Sequence, residues 1–151
     1  MPSKITINPN ITQAETLPAE FYQNEDYFIA SKETVFTPSW QFIAHASVFN
    51  DKNVYPFSFL SRFINEPLLL IKNGESINCF SNVCTHRAHL VTSEPCKVNK
   101  LRCPYHGRNY NLDGSFNSMR GFDDVENFPT DKDNLQSIPT LKWKQFIFAS
   151  L

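Results

Sequence analysis

The chain has 151 residues, 14 basic and 15 acidic side chains, a formal net charge of −1 and four cysteines. So even a balance leaves no broad field for nucleic acid or an anionic membrane, and no run of about 18 apolar residues is present to span a bilayer. The length suits one domain with its own core, and four cysteines with no apparent signal segment read as a reducing compartment, the cytoplasm.

Phenylalanine is abundant at 14 residues, and much of the other apolar content is β-branched or aromatic, which favours strands outside one early segment. Met1 to Thr16 is polar, contains Pro2 and Pro9, and reads as an extended arm. Leu17 to Tyr22 reads as a short turn. Asn24 suits a helix N-cap, with Glu25 and Asp26 complementing the dipole, Tyr27, Phe28, Ser31 and Val35 spaced for one face, and Pro38 as the stop. Residues 1–38 thus form an arm and helix set apart from residues 39–151.

Trp40 to Phe49, Tyr55 to Leu60, Pro67 to Lys72 and Ile77 to Phe80 read as strands, with Asn73-Gly74 a two-residue hairpin signal. His45, among Ile43, Ala44 and Ala46, reads as a structural histidine.

From Asn82 to Phe116 the pattern changes. Cys84, one residue and His86 are followed, after sixteen intervening residues, by Cys103, two residues and His106. Each short loop offers one soft thiolate and one imidazole, a set suited to a two-iron cluster in which one iron takes both sulfurs and the other both histidines. Two thiolates and two neutral imidazoles bring the oxidised site, about +2 from its irons and sulfides, to about zero, which eases the addition of one electron. Pro104 stiffens the second loop, Gly107 lets the backbone approach the cluster, and the loop amides can aim N–H groups at sulfur. Asp113-Gly114 reads as a tight hairpin turn. A zinc-binding structural or interaction domain is the alternative, although zinc sites favour like pairs of ligands over two mixed ones. Cys79 and Cys84 imitate the start of a plant-type ferredoxin run, but Arg87 stands where its next cysteine belongs.

The run Asn82-Val83-Cys84-Thr85-His86-Arg87, with Cys103-Pro104-Tyr105-His106-Gly107, Tyr110 and Asp113-Gly114, resembles the Rieske family, and within it the N-terminal domain of Rieske non-haem iron ring-hydroxylating oxygenase α subunits. The resemblance implies a mostly β fold, an antiparallel β-sandwich with a small two-loop cluster-binding subdomain at about residues 80–116 and one N-terminal helix. It implies one [2Fe-2S] cluster per chain, with Cys84 and Cys103 on the buried iron and His86 and His106 on the outer iron. It also implies a ferredoxin or flavin-dependent reductase as electron donor, a non-haem iron catalytic domain as acceptor, and room for a homo-oligomer in the full-length protein. The family's catalytic part, with iron on two histidines and a carboxylate, has no counterpart here, since His45 and His89 lack a believable acidic partner. The chain alone is therefore read as a carrier without catalytic residues. A free-standing Rieske-type ferredoxin is the competing reading, against which the N-terminal arm and helix speak.

Two departures stand out. Arg108 occupies a position where oxygenase-type members usually carry Trp, and where high-potential members place a hydroxyl that bonds to the cluster. His89 and Tyr105 occupy the places of an extra cysteine pair that forms a disulfide in high-potential members. Both point to the low-potential branch, near about −150 mV. Cys79 and Cys96 read as buried or loop thiols, His89 as a surface residue, and Arg87 as either a charged contact beside the cluster or a solvated side chain. Phe122 to Asn134 reads as an acidic surface loop, and Leu141 to Leu151 as one closing strand.

Overall fold

Leu68, Leu69, Leu70 and Ile71 are all fully buried, and this run shows how the fold is layered. A strand apolar at every position must be covered on both faces. In the computed structural model, which describes residues 4–151, these residues lie in β3 (Glu66–Asn73), the centre of an antiparallel sheet. Its neighbours are β2 (Val54–Phe59), β4 (Ser76–Ser81) and the short β8 (Ser137–Ile138), in the order β2-β3-β4-β8. Side chains alternate across the pleat. Leu69, Ile71 and Phe80 therefore pack on one side with Cys84, Cys103 and Tyr110. Leu68, Leu70 and Cys79 pack on the other with Phe59, Ile147 and Ala149.

The second layer is an antiparallel sheet in the order β1-β10-β9, from β1 (Gln41–His45), β9 (Thr140–Trp143) and β10 (Phe146–Ala149). The third is a small sheet of β5 (Leu101–Arg102), β6 (Asn109–Tyr110) and β7 (Phe116–Ser118). The fold is mostly β and antiparallel, as expected. The chain divides into two compact units, Met1–Ser39 and Trp40–Leu151.

Several boundaries differ from expectation. The single helical region is realised as α1 (Ala19–Gln23) and α2 (Glu25–Ser31), and the latter runs on into a π-helical turn over Lys32–Phe36. Asn24 breaks the two apart because its side chain caps α2, accepting from the Asp26 amide at 2.8 Å. β1 ends at His45 rather than Phe49, since the His45 ring accepts from the Ser47 amide at 3.2 Å and starts a 3₁₀ turn over Ala46–Phe49. The β3–β4 turn is Gly74-Glu75, one residue later than expected, with Asn73 still paired to Ser76 and Gly74 at φ +61°. The closing strand is instead the β9–β10 hairpin, reversed at Lys144-Gln145 with Lys144 in the left-handed region.

Asp113-Gly114 does form a tight turn, within the Asn111–Ser115 connection of β6 to β7. Gly114 has φ +83°, and a Cβ there would lie 2.4 Å from the Phe80 ring, so the position requires glycine twice over.

Candidate metal centre

Two loops project from the sheets and share one backbone design. In the first, the Cys84 amide donates to the His89 carbonyl at 2.8 Å and the Ala88 amide to the Cys84 carbonyl at 3.0 Å. In the second, the Cys103 amide donates to the Arg108 carbonyl at 2.8 Å and the Gly107 amide to the Cys103 carbonyl at 3.0 Å. Both loops turn back through a left-handed residue four places after the cysteine, Ala88 at φ +51° and Gly107 at φ +74°. Each is rooted in strand structure. β5 and β6 carry the second loop as a hairpin, with Leu101 paired to Tyr110 and Arg102 to Asn109. The first loop leaves β4 through buried Asn82, whose side chain donates to the Thr92 carbonyl and accepts from the Thr92 amide.

The structure brings the four expected residues together as two like pairs. Cys84 and Cys103 are 2% and 1% exposed and lie in the core between sheet and loops. Burial pushes the Cys103 thiol up, and the neighbouring Cys84 thiol adds to this; the amides of Tyr105 and His106 hydrogen-bond the sulfur and oppose the rise. On the outer side the His86 and His106 rings are 4.9 Å apart between centroids at 77°. His86 is half-buried, and His106 is exposed and stacked 3.8 Å from Tyr105. Burial first, then the positive neighbours His106, Arg87 and Arg108, lower the His86 pKa below 6.5.

Tyr110 is completely buried beneath this arrangement, with its hydroxyl 3.2 Å from the Cys84 sulfur. Desolvation and the bond to Cys84 raise its pKa to about 12, so it holds its proton at every working pH. The hydroxyl accepts from the Thr85 amide at 3.0 Å and lies 2.9 Å from Thr85 Oγ1. Thr85 Oγ1 gives its own proton to the Asp133 carbonyl at 2.8 Å and accepts from Arg108 at 3.0 Å. The Tyr110 proton is therefore available to a Cys84 thiolate, and a hydrogen bond to an anion is the stronger choice.

Arg108 lies inward. It is 2% exposed, paired with Asp133 at 2.5 Å, and its guanidinium carbon is 4.9 Å from the Phe116 ring and 5.5 Å from the Phe128 ring. Burial works to raise the Asp133 carboxyl, but hydrogen bonds from Thr130 and Arg108 outweigh it and hold the group below the usual carboxylate range. The expected acidic surface loop is thus corrected at one end. Asp133 is half-buried and pairs with Arg108, and Phe122 packs 6.0 Å from the His86 ring. The remaining acids of that loop, Asp123, Asp124, Glu126 and Asp131, are exposed.

The other singled-out residues stand apart from the pairs. Cys79 is buried in β4 opposite Leu70 of β3, with its thiol pushed up to about 12 by desolvation, Cys96 is half-buried, and Arg87 and His89 are exposed. His45 lies in β1 against Phe146. The sequence motif contains Tyr110 and Thr85 but gives them no role, and Asp133, a lone polar residue 25 positions from Arg108, carries no signal of its own. A groove of about 790 Å³ runs beside the second loop, lined among others by Arg102, Tyr105, His106, Arg120 and Asp123.

Donor chemistry decides what fits. A single ion would draw its ligands to one point, and among the described residues no three His, Cys, Asp or Glu converge that way. Thiols paired inside and imidazoles paired outside fit two metal centres of different softness.

Comparison with known proteins agrees. Residues 39–129 match the Rieske [2Fe-2S] domain. The chain is 33% identical to the carnitine monooxygenase oxygenase subunit of Escherichia coli (strain K12), covering all of this chain and 40% of that protein. It is 30% identical to chloroplastic choline monooxygenase of Beta vulgaris, covering 91% of this chain and 30% of that one. Among solved structures, the quaternary ammonium Rieske monooxygenase CntA in complex with L-carnitine superposes with a TM-score of 0.78 at 32% identity, over 91% of this chain and 39% of that one. The chain thus spans about 40% of the length of the first of these relatives.

Proposed function

We propose that this chain, which belongs to the Rieske [2Fe-2S] domain family, relays single electrons as the front part of an oxygenase subunit. The observation that carries the reading is the segregation of donors, with two thiols buried in the core and two imidazoles side by side at the surface. In this reading residues 39–151 form the cluster-binding domain, residues 1–38 precede it, and about 80–116 form the loop subdomain. Cys84 and Cys103 hold the inner iron and His86 and His106 the outer one. The bound cluster supplies reversible one-electron chemistry between about −150 and +300 mV.

The protein's own residues prepare the site. The core around Leu69, Ile71 and Phe80 excludes water from the sulfurs. The Tyr105 and His106 amides and the Tyr110 hydroxyl stabilise thiolate charge. The exposed His106 face, with the groove beside it, is where a ferredoxin or flavin-dependent reductase docks. The acceptor is a non-haem iron site in a longer, oligomeric protein. Since the relatives include a carnitine and a choline monooxygenase, quaternary ammonium compounds are the first substrates to try. The alignment with carnitine monooxygenase includes the N-terminal unit, which favours an oxygenase over a free-standing ferredoxin. Four free cysteines fit a reducing compartment such as the cytoplasm, and no described helix is long and apolar enough to cross a membrane.

The test is metal and sulfide analysis of anaerobically purified protein, with EPR after reduction. The reading expects about two irons and two sulfides per chain and a rhombic signal of low average g. Stoichiometric zinc from iron-replete cells would overturn it.

A further inference from the structure

A charged side chain buried behind a redox site needs a reason. Removing a guanidinium from water is expensive unless its donors are met, and a buried ion pair adds little stability by itself. Arg108 is nevertheless 2% exposed, one residue beyond the Gly107 turn of the second loop. Its two terminal nitrogens are engaged, one by Asp133 at 2.5 Å and one by Thr85 at 3.0 Å. Its flat faces meet Phe116 and Phe128. Nε is the one buried side-chain nitrogen or oxygen among the described residues without a partner.

The position of Thr85 gives these contacts their meaning. It separates Cys84 from His86, and its amide and hydroxyl both meet the Tyr110 hydroxyl that reaches the Cys84 sulfur. Asp133 holds Thr85 a second time through its backbone carbonyl, and is itself fixed by the Thr130 amide at 2.8 Å. Arg108 therefore joins the second loop, the first loop and the Thr130–Asp133 turn in one network.

We infer that Arg108 is a positioning residue for the cluster, which clamps the Cys84–His86 loop through Thr85 and whose charge, balanced by Asp133, sets how readily the cluster is reduced. The inference rests on the Rieske reading above and deepens it. A positive charge near the site favours the electron and a negative one opposes it. Each partner alone should thus shift reduction, and the two shifts should have opposite signs. A merely structural role has no such signature, since loosening the same network from either end moves the site in one direction.

The experiment is a redox titration of the cluster-loaded chain with dithionite and mediator dyes. Arg108→Met, which leaves Asp133 uncompensated, should make reduction about three- to tenfold less favourable. Asp133→Asn, which leaves Arg108 uncompensated, should make it more favourable by a similar factor; tenfold is about 59 mV for one electron. The double variant should fall between the singles, and Arg108→Lys should stay on the wild-type side of Arg108→Met. Single variants that shift the same way, or both by less than twofold, would overturn the inference. If Arg108→Met cannot hold a cluster, Asp133→Asn decides against Arg108→Lys: a rise in the first with little change in the second supports the inference, and a fall or no change in the first overturns it. Wild-type protein that binds no iron would instead sink the functional reading, so the two failures are distinguishable.

Discussion

The two Cys/His loops close with the same pair of backbone hydrogen bonds, yet their contents differ. The second carries glycine at its left-handed position, holds its histidine three places after the cysteine, and presents that histidine to solvent. The first carries alanine there, holds its histidine two places after, and is half-covered by Phe122. The second also brings its own amides to its sulfur, whereas the first borrows a hydroxyl from Tyr110 on β6. One loop is thus largely self-sufficient, while the other depends on residues far along the chain.

The largest expected effect concerns the inner and outer halves that the loops build together. Burial raises the Cys103 thiol, so iron binding as proposed has to displace its proton; the His86 pKa is lowered below 6.5, so His86 is already mostly neutral at pH 7. Iron retention against a chelator should therefore rise with pH from neutral into the alkaline range, by up to about tenfold per unit for each proton displaced. His86 itself should add little above pH 6.5. Retention that levels off at pH 7 would show that burial does not hold the Cys103 proton in place.

Next comes the left-handed position. Gly107→Ala should destabilise the cluster-loaded protein by about 1–1.5 kcal/mol, from backbone strain and from a Cβ lying 3.3 Å from the Arg102 guanidinium. A urea midpoint equal to wild type would show that the second loop does not need its glycine.

The borrowed hydroxyl is tested by Tyr110→Phe. A bond to a thiolate gains strength when the site takes up an electron, and losing a differential of about 1 kcal/mol should lower the potential by about 40 mV. An unchanged potential would remove Tyr110 from the electron-transfer role. Position 108 carries no hydroxyl here; the hydroxyl that reaches the Cys84 sulfur belongs to Tyr110.

The smallest effect is expected at Ala88→Gly. Relief of left-handed strain and the greater freedom of the unfolded chain nearly cancel, leaving a gain of about 0.3 kcal/mol. A clear loss would mean that the methyl group is needed for packing.

The sequence alone determined the features that depend on near neighbours. The spacing of Cys84, His86, Cys103 and His106 identified the family, because donor type and short-range spacing decide which metal centre can form. The apolar run of β3 and the Asp113-Gly114 turn were legible because burial on both faces and a positive φ each leave a local signature. The tertiary structure decided whatever joins distant residues. Arg108 read only as a departure from the usual Trp, since nothing local says that Asp133, 25 residues on, will pair with it. Leu141 to Leu151 read as one strand because the alternation runs almost unbroken across Lys144-Gln145; the pairing of β10 with both β1 and β9 makes the reversal worthwhile. Tyr110 was visible as a motif residue, but only the register of Leu101 opposite Tyr110 carries its hydroxyl to a sulfur 26 positions earlier.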